Sequence, residues 1–417
     1  MSDPQEGFDI TVLGAGVVGI CTAISLAEKG VRVRLIDRDA PGQATSFGNA
    51  GIVSPWSVVP QSMPGLWKKV PGMLLDPLGP ISIRPGHLPR VATWGLRFLA
   101  QGRIKRVREI SEAMDFLVRD SVTLFRQHLA GTGHENLLQD SMYVHAFRDA
   151  RHANINSTDY EIRREKGAEL EIIQAADLRD LEPDLNPDFK AAILIKGQAR
   201  ALSPGRICEV LTDKFRALGG TVLQAEIKAI LPQDDQSWKI STSAGLLESP
   251  KIVLAMGVWA AELLKPLGIH IPMEAERGYH VEFSDPGVQL NNSIMDMDMK
   301  FVGSSMEGGL RVAGTAEFAG LDQPANDKRL QGLIKLASKL APKLNTSAPN
   351  TWMGQRPSLP DSLPCIGEVD GFPNLISAFG HSHYGLMMAP KTGRVVADIA
   401  THTPVNNDLT AYNTQRY

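Results

Sequence analysis

The sequence predicts an α/β fold: a Rossmann-like dinucleotide-binding domain carrying a second, β-rich α+β domain. Three observations support this. The chain opens on a strand, a glycine turn, a helix and a second strand ending in an acid. Another strand, glycine turn and helix recur near the C-terminus. Between them lie several strand-like runs, and the 417 residues suffice for two domains of ~150–250 residues each.

Phe8-Asp9-Ile10-Thr11-Val12-Leu13 is rich in β-formers and leads into Gly14-Ala15-Gly16-Val17-Val18-Gly19. Ile20, Ala23, Ile24 and Ala27 then recur with helical spacing until Gly30 stops the helix. Val31 to Ile36 is the second strand, and Asp37 stands at its end with Arg38 beside it. The acid follows the glycines by about twenty residues, as a dinucleotide fingerprint requires. Gly14 makes the tight turn, Gly16 lets backbone approach a pyrophosphate, and Gly19 lets helix and strand pack closely. The helix N-terminus offers free N–H groups and a positive dipole end to phosphates. Asp37 would accept from ribose hydroxyls and repel a 2′-phosphate, which argues against NADP.

This fingerprint does not separate FAD from NAD, so the rest of the chain has to. Ala44-Thr45-Ser46-Phe47-Gly48-Asn49-Ala50-Gly51-Ile52-Val53-Ser54-Pro55 is small, polar and glycine-dense, suited to close backbone approach to a ligand. Far downstream, Asn374 to Phe379 reads as a strand ending in Gly380-His381-Ser382-His383-Tyr384-Gly385, with Leu386, Met387 and Met388 opening an apolar helix. That helix entry would aim a positive dipole end at the negative charge of a reduced flavin.

Four segments together resemble one family: GAGVVG with Asp37, ATSFGNAGIVSP at 44–55, WMGQRPSLPDSLPCIG at 352–367, and GHSHYGLMMAPKTG at 380–393. From Phe8 to about Ile399 the chain resembles the D-amino acid oxidase superfamily of FAD-dependent flavoproteins, near its bacterial D-amino acid dehydrogenases and glycine-oxidase-like members. The resemblance implies a glutathione-reductase-type FAD domain. It also implies that the first two segments and the last line the FAD, while the third lies over the flavin at the substrate. On this basis Thr45, Ser46, Asn49, Ala50, Gly51, Gly380, Gly385 and Leu386 join the fingerprint residues around the cofactor. The backbone at Ile227 would hold the adenine, and Gly257 would approach the pyrophosphate.

The expected FAD domain is discontinuous, comprising 1–55, 196–268 and 351–417, with 56–195 and 269–350 forming the substrate domain. Ser203-Pro204 starts a helix that runs to Gly219-Gly220. Strands are expected at Thr221–Ala225, Ala229–Pro232, Trp238–Ser241 and Lys251–Met256, and then a helical Trp259–Leu264. Pro272 to Phe283 and Met295 to Gly314 read as β-rich, and Asp327 to Leu340 as a helix. Pro55 to Pro89 carries Pro, Gly, Met, Trp56 and Trp67 with little periodicity. It reads as an irregular crossing, a buried lid over the active site in preference to a membrane-contacting flap.

A zwitterionic substrate needs a planar cation for its carboxylate. Arg356, held between glycine and proline in Gly354-Gln355-Arg356-Pro357, is the candidate, and the resemblance places an arginine of this function at that motif. Tyr279, after a glycine expected near the flavin, reads equally as a strand packing residue. His383 and Tyr384 are expected to line the substrate cavity. His381 and His383 lack the further spaced ligands that a metal site needs, so no metal is expected. The implied reaction is hydride transfer from the α-carbon of a D-amino acid to flavin N5, giving a 2-oxo acid and ammonia. Electrons pass to a quinone or another acceptor. Cyclic or N-substituted amino acids (D-proline, hydroxy-D-proline, sarcosine, glycine) are the alternative donors, and an NAD-dependent dehydrogenase is a distant one.

Hydrophobic residues make up 43% and charged residues 21%, a globular rather than a disordered composition. With 43 basic against 46 acidic residues, and the densest basic run (Arg103 to Arg108) reading as one helix face, no nucleic-acid partner is expected. Three dispersed cysteines, Cys21, Cys208 and Cys365, form no disulfide framework or CxxC site and suit a reducing compartment. The Ile10–Ala27 run follows Asp3, Glu6 and Asp9 and is broken by glycines, unlike a signal peptide. No apolar stretch nears the ~20 residues that span a bilayer. A cytoplasmic location is expected, with peripheral contact to the inner membrane or to an electron-transfer subunit left open.

Overall fold

A computed structural model describes residues 7–417, so residues 1–6 of the expected first segment lie outside the described residues. The described residues form three sheets. The first runs in the order Cys365–Val369, Phe372–Phe379, Lys251–Leu254, Ile10–Leu13, Val33–Asp37, Thr221–Gln224. All its pairings are parallel except the hairpin of the first two strands. Its central strand Ile10–Leu13 is buried along its whole length, as a parallel sheet covered on both faces requires. A small antiparallel sheet of Ile227–Pro232, Trp238–Thr242 and Gly245–Ser249 sits beside it.

The third sheet has ten strands and belongs to the other half of the molecule. Its main path joins Asn350–Ser358, Glu274–Phe283, Gly309–Phe318, Phe301–Met306, Ser293–Asp296, Leu138–Phe147, Ala191–Ala201 and Ile52–Val53. The helix Asp327–Leu340 caps one face, burying Leu330, Leu333, Leu336 and Leu340 against Val281, Phe283 and Val312.

Two expected boundaries fall inside strands. Ala191–Ala201 runs unbroken through position 196, and Asn350–Ser358 pairs along its length with Glu274–Phe283, although the sequence places the nucleotide half from 196 and from 351 onward. Ile52–Val53 likewise pairs with Arg200 and Ala199 of the large sheet. The physical reason is that β-periodicity reports a strand but not which sheet it joins, since that is decided by distant hydrogen-bond partners. The 55–89 crossing is also more ordered than its composition indicates. It forms the helix Leu66–Leu75, with Pro71 inside, and the strand Ile81–Ile83 on the edge of Gly309–Phe318.

The two glycine-turn helices meet. Helix Val17–Glu28 packs against helix Gly385–Ala400 over a shared core that includes Ile20, Ile24, Met388, Val395 and Val396. At the crossing, a Cβ on Gly393 would stand 2.6 Å from the Cys21 carbonyl carbon and oxygen. Backbone cannot yield as a side chain can, so only glycine permits this approach. Gly393→Ala should therefore destabilise the protein, by up to about 2 kcal/mol net. The overpacking strain of about 1–3 kcal/mol exceeds the ~1 kcal/mol gained in helix propensity. A urea unfolding midpoint that does not fall would refute this close contact.

Candidate active site

The two helix entries open on one cavity of about 1790 Å³, well above the about 300–1,000 Å³ of ordinary small-molecule clefts. Gly14, Gly16, Val17, Val18, Asp37 and Arg38 line one region of it, with Ile227 and Gly257. Arg356, His383, Tyr384, Gly385 and Leu386 line another, and Thr45, Ser46, Asn49 and Ala50 belong to the same wall. The structure thus brings together most of the residues singled out in the sequence.

The fingerprint turn is built by steric exclusion. Gly14 has φ +103°, and a Cβ there would lie 2.6 Å from the Ala255 carbonyl oxygen. A Cβ on Gly19 would lie 1.8 Å from the Gly14 oxygen, so helix and turn pack without side chains between them. Gly257, at φ +56°, meets nothing within 4 Å and leaves bare backbone on the cavity. The Asp37 carboxylate accepts from the Ala15 N–H at 2.6 Å and from the Asp39 N–H at 3.1 Å. Burial raises its pKa more than these two donors lower it. Arg38 lies over the Trp259 ring at 4.4 Å.

The 44–55 loop is tied down from three directions. Ser46 Oγ accepts from the Val17 N–H at 3.0 Å, and Thr45 Oγ1 donates to the Gln355 oxygen at 2.8 Å. Arg311 Nη1 donates to the oxygens of Phe47 and Asn49 while its Nε donates to Glu282 at 2.7 Å. Ala15, Gly19, Gly51 and Gly380 do not line the cavity. Gly51 (φ +81°) is packed against the Ala201 oxygen and Gly380 (φ +84°) against Leu359, so these residues shape the turns behind the surface.

Strand alternation decides the substrate end. Arg356 stands opposite Glu276, Gly354 opposite Gly278, and Trp352 opposite His280. Arg356 Nη1 donates to Glu276 Oε1 at 2.8 Å and to the Thr315 oxygen at 3.0 Å. The guanidinium lies across Gly278, where a Cβ would be 2.3 Å from Nη2. Among the described residues, Nε and Nη2 of Arg356 have no hydrogen-bond partner, and the side chain borders the cavity. Glu276 is buried, and Ser358 Oγ donates to it at 2.7 Å. Burial pushes the Glu276 carboxyl up, but Arg356, His383 and Ser358 bring it below its ordinary value.

Tyr279 requires a correction. It is 1% exposed and absent from the cavity wall. Its hydroxyl donates to Glu317 and accepts from the Asn326 N–H at 3.2 Å. Successive strand side chains point to opposite faces, so with Glu276 on the cavity wall and Gly278 beneath the Arg356 guanidinium, Tyr279 joins Arg277 on the back.

His383 borders the cavity and lies 4.1 Å from Tyr384, ring centre to ring centre. The Tyr384 hydroxyl donates to the Val59 oxygen at 2.9 Å, which fastens the 55–64 segment over the site. His381 also borders the cavity, though little of it is exposed, with Nε2 3.1 Å from Thr392 Oγ1. The opposite wall, missed in the sequence, contains Tyr143, His145, Tyr160 and Arg163. His145 Nδ1 lies 2.7 Å from the Tyr160 hydroxyl. No spacing signal could have linked these residues to Arg356, because they come from a different strand and helix. Glu276 left a faint signal, an acid at the start of a strand-like run. Among the described residues, no cluster of His, Cys, Asp and Glu could hold a metal ion.

Residues 9–399 match the family model described as FAD dependent oxidoreductase, DAO. The chain belongs to this family. It is 35% identical to a D-amino-acid oxidase of Bradyrhizobium diazoefficiens over 99% of both chains, and 28% identical to a D-amino acid dehydrogenase of Vibrio cholerae over 94% of this chain and 95% of that one. Its fold is similar to that of glycine oxidase from Geobacillus kaustophilus, with TM-score 0.74, 20% identity, and coverage of 98% and 99%. The protein is therefore an FAD-dependent oxidoreductase of the DAO family, with a Rossmann-like domain and a β-rich domain. The cavity fits FAD: it exceeds an ordinary cleft, offers bare backbone at Gly16 and Gly257, and places a carboxylate at Asp37.

Several buried histidines give the DAO-family chain a defined acid response. Burial is the first cause for each, holding His128 and His383 down to about 4, and His280 and His381 to about 3. Unfolded histidine titrates near 6.5. Between about 6.5 and 4 the unfolded chain therefore binds more protons than the folded one, and stability falls as pH falls through that window. Urea midpoints should drop from pH 7 to pH 5. In His381→Gln the slope should be shallower by up to about 1.4 kcal/mol per pH unit. An unchanged slope would show that His381 is not buried neutral.

Proposed function

We propose that this enzyme oxidatively deaminates D-amino acids, giving the 2-oxo acid and ammonia, and passes the electrons to a quinone. The observation that carries this reading is the free Nε–Nη2 edge of Arg356, presented to the cavity beside the helix entry at Gly385. The names of the 35% and 28% identical relatives support the donor class. Gly14, Gly16, Val17, Val18, Asp37, Arg38, Thr45, Ser46, Asn49, Ala50, Ile227, Gly257, Gly385 and Leu386 would hold FAD, with Ala15, Gly19, Gly51 and Gly380 shaping the turns that present them. Bound FAD supplies the acceptor for the hydride lost from the α-carbon.

The chain's own groups bind and orient. Arg356 takes the substrate carboxylate with its free edge, a planar two-donor match. Glu276 and the Thr315 carbonyl hold the opposite edge still. His383 is neutral at pH 7 and, among the described residues, has no hydrogen-bond partner, so a ring nitrogen is free to accept from the substrate amine. Tyr384 keeps the 55–64 segment closed over the site through Val59, which excludes water and strengthens these polar contacts. Positioning accounts for most of the catalysis in this reading. We place the enzyme in the cytoplasm, peripheral on the inner membrane, which suits its three free, buried cysteines.

Anaerobic mixing tests this. The yellow holoenzyme should bleach with D-alanine or another D-amino acid and yield a 2-oxo acid, and a quinone analogue should restore the colour faster than oxygen does. Bleaching by L-enantiomers only, or by D-proline and sarcosine only, would overturn the donor assignment. Arg356→Lys, which keeps a charge beside Glu276 but loses the fork, should raise KM for carboxylate-bearing donors by about thirtyfold or more, as follows from the about 2–5 kcal/mol of a buried charged contact. An unaltered KM would remove Arg356 from that role.

A further inference from the structure

The hairpin that joins strand Ser293–Asp296 to strand Phe301–Met306 ends on an unexpected residue. Lys300 has φ +58°, a left-handed conformation that turns normally give to glycine or asparagine. Its N–H closes the turn on the Asp296 oxygen at 2.8 Å, a backbone contact that glycine would make as well. A side chain kept at a strained point indicates a use for that side chain. Lys300 lines the cavity.

Its place in the sheet relates it to Arg356. Gly314 pairs with Phe301, the residue after Lys300, and a Cβ on Gly314 would lie 3.5 Å from the Lys300 oxygen. Thr315, the residue after Gly314, supplies the carbonyl that accepts from Arg356 Nη1. Lys300 therefore stands one strand, about 5 Å, from the backbone that fixes the arginine.

The surrounding charges leave Lys300 unpaired. Asp296 and Asp298 are taken by Arg148, at 2.7 and 3.5 Å, and Asp159 by Arg163 at 3.4 Å. The same cavity is lined by Lys69, on helix Leu66–Leu75 of the segment that covers the site. Among the described residues, neither ammonium has an ion-pair or hydrogen-bond partner. Burial first and Lys69 next pull the Lys300 pKa below its ordinary value, while Asp159, Asp298 and Asp296 oppose them. Two like charges facing one cavity repel, and an anion between them turns that repulsion into two attractions. The pyrophosphate of FAD is not that anion in our reading, because the fingerprint turn at Gly14 and Gly16 takes it.

We infer that Lys300 and Lys69 form a second anion site, for the side-chain carboxylate of the donor, so that the enzyme prefers dicarboxylic D-amino acids to uncharged ones. Arg356 takes the α-carboxylate, and the two ammonium groups take the distal one, from the sheet and from the covering helix. The donor preference rests on the deamination proposed above, whereas the anion site rests on these charges alone.

Two measurements on the holoenzyme test it. The kcat/KM for D-glutamate should exceed that for D-glutamine, its uncharged isostere, by about tenfold or more, the worth of one charge-assisted hydrogen bond. Titrations of the flavin spectrum with acids that carry no amine should show glutarate binding about tenfold or more tighter than pentanoate, through the same contact. Lys300→Gly suits the left-handed turn and should not lower the urea midpoint. It and Lys69→Met should nonetheless each shrink both ratios about fivefold or more. Glutarate binding no tighter than pentanoate overturns the inference, as does D-glutamine turned over as well as D-glutamate. So do variants that weaken the charged and uncharged ligands equally, the result a merely structural role would give. Tight glutarate binding without turnover of any D-amino acid would leave the anion site standing and sink the deamination reading.

Discussion

The close crossing of the first and last long helices is the constraint on which the site depends. Gly393 removes the one side chain that would hold helix Gly385–Ala400 away from the Cys21 backbone. Since both helices start at a glycine turn beyond a strand of the same parallel sheet, drawing them together brings both N-termini to one cavity. Their dipole ends then act on the same space, one suited to phosphates and the other to charge on a flavin ring. Spread apart, each would be an ordinary helix start.

The ten-stranded sheet solves a different problem, holding a cation at the edge of a mostly apolar space. A lone guanidinium there would suffer desolvation, and a fully satisfied one would have nothing left for a ligand. The pairing of Arg356 with Glu276 across adjacent strands balances the charge while occupying only Nη1. Gly278 provides the flat floor that lets the guanidinium lie down between strands. The carboxylate is itself fixed by Ser358, so the free edge of the arginine has a defined direction. Together these contacts make a preorganised anion site out of residues that are individually unexceptional.

The lid connects these two halves to the surroundings. One side of it borders the cavity and is anchored through Tyr384 to Val59, and the other shows solvent an apolar, cationic surface. A segment built only to close a site would be expected to turn polar residues outward. The exposed helical row of Trp67, Pro71 and Leu75 was hidden in the sequence by Pro71 and Gly72, which read as breakers.

The sequence by itself determined the nucleotide-binding half. Its strand, glycine turn, helix and terminal acid are contiguous, so each piece reports on its neighbour through local sterics, and the same holds for the turn at Gly380–Gly385. It also marked Arg356, because glycine and proline around an arginine are a local signal. Tertiary structure decided which face each strand side chain took and which sheet each strand joined. Glu276 reached the site and Tyr279 did not because they sit on opposite faces of one strand, and that choice is made by partners some eighty residues away at Arg356 and forty at Glu317. Local propensity carries no information about such distant pairing, and there the legibility of the sequence ended.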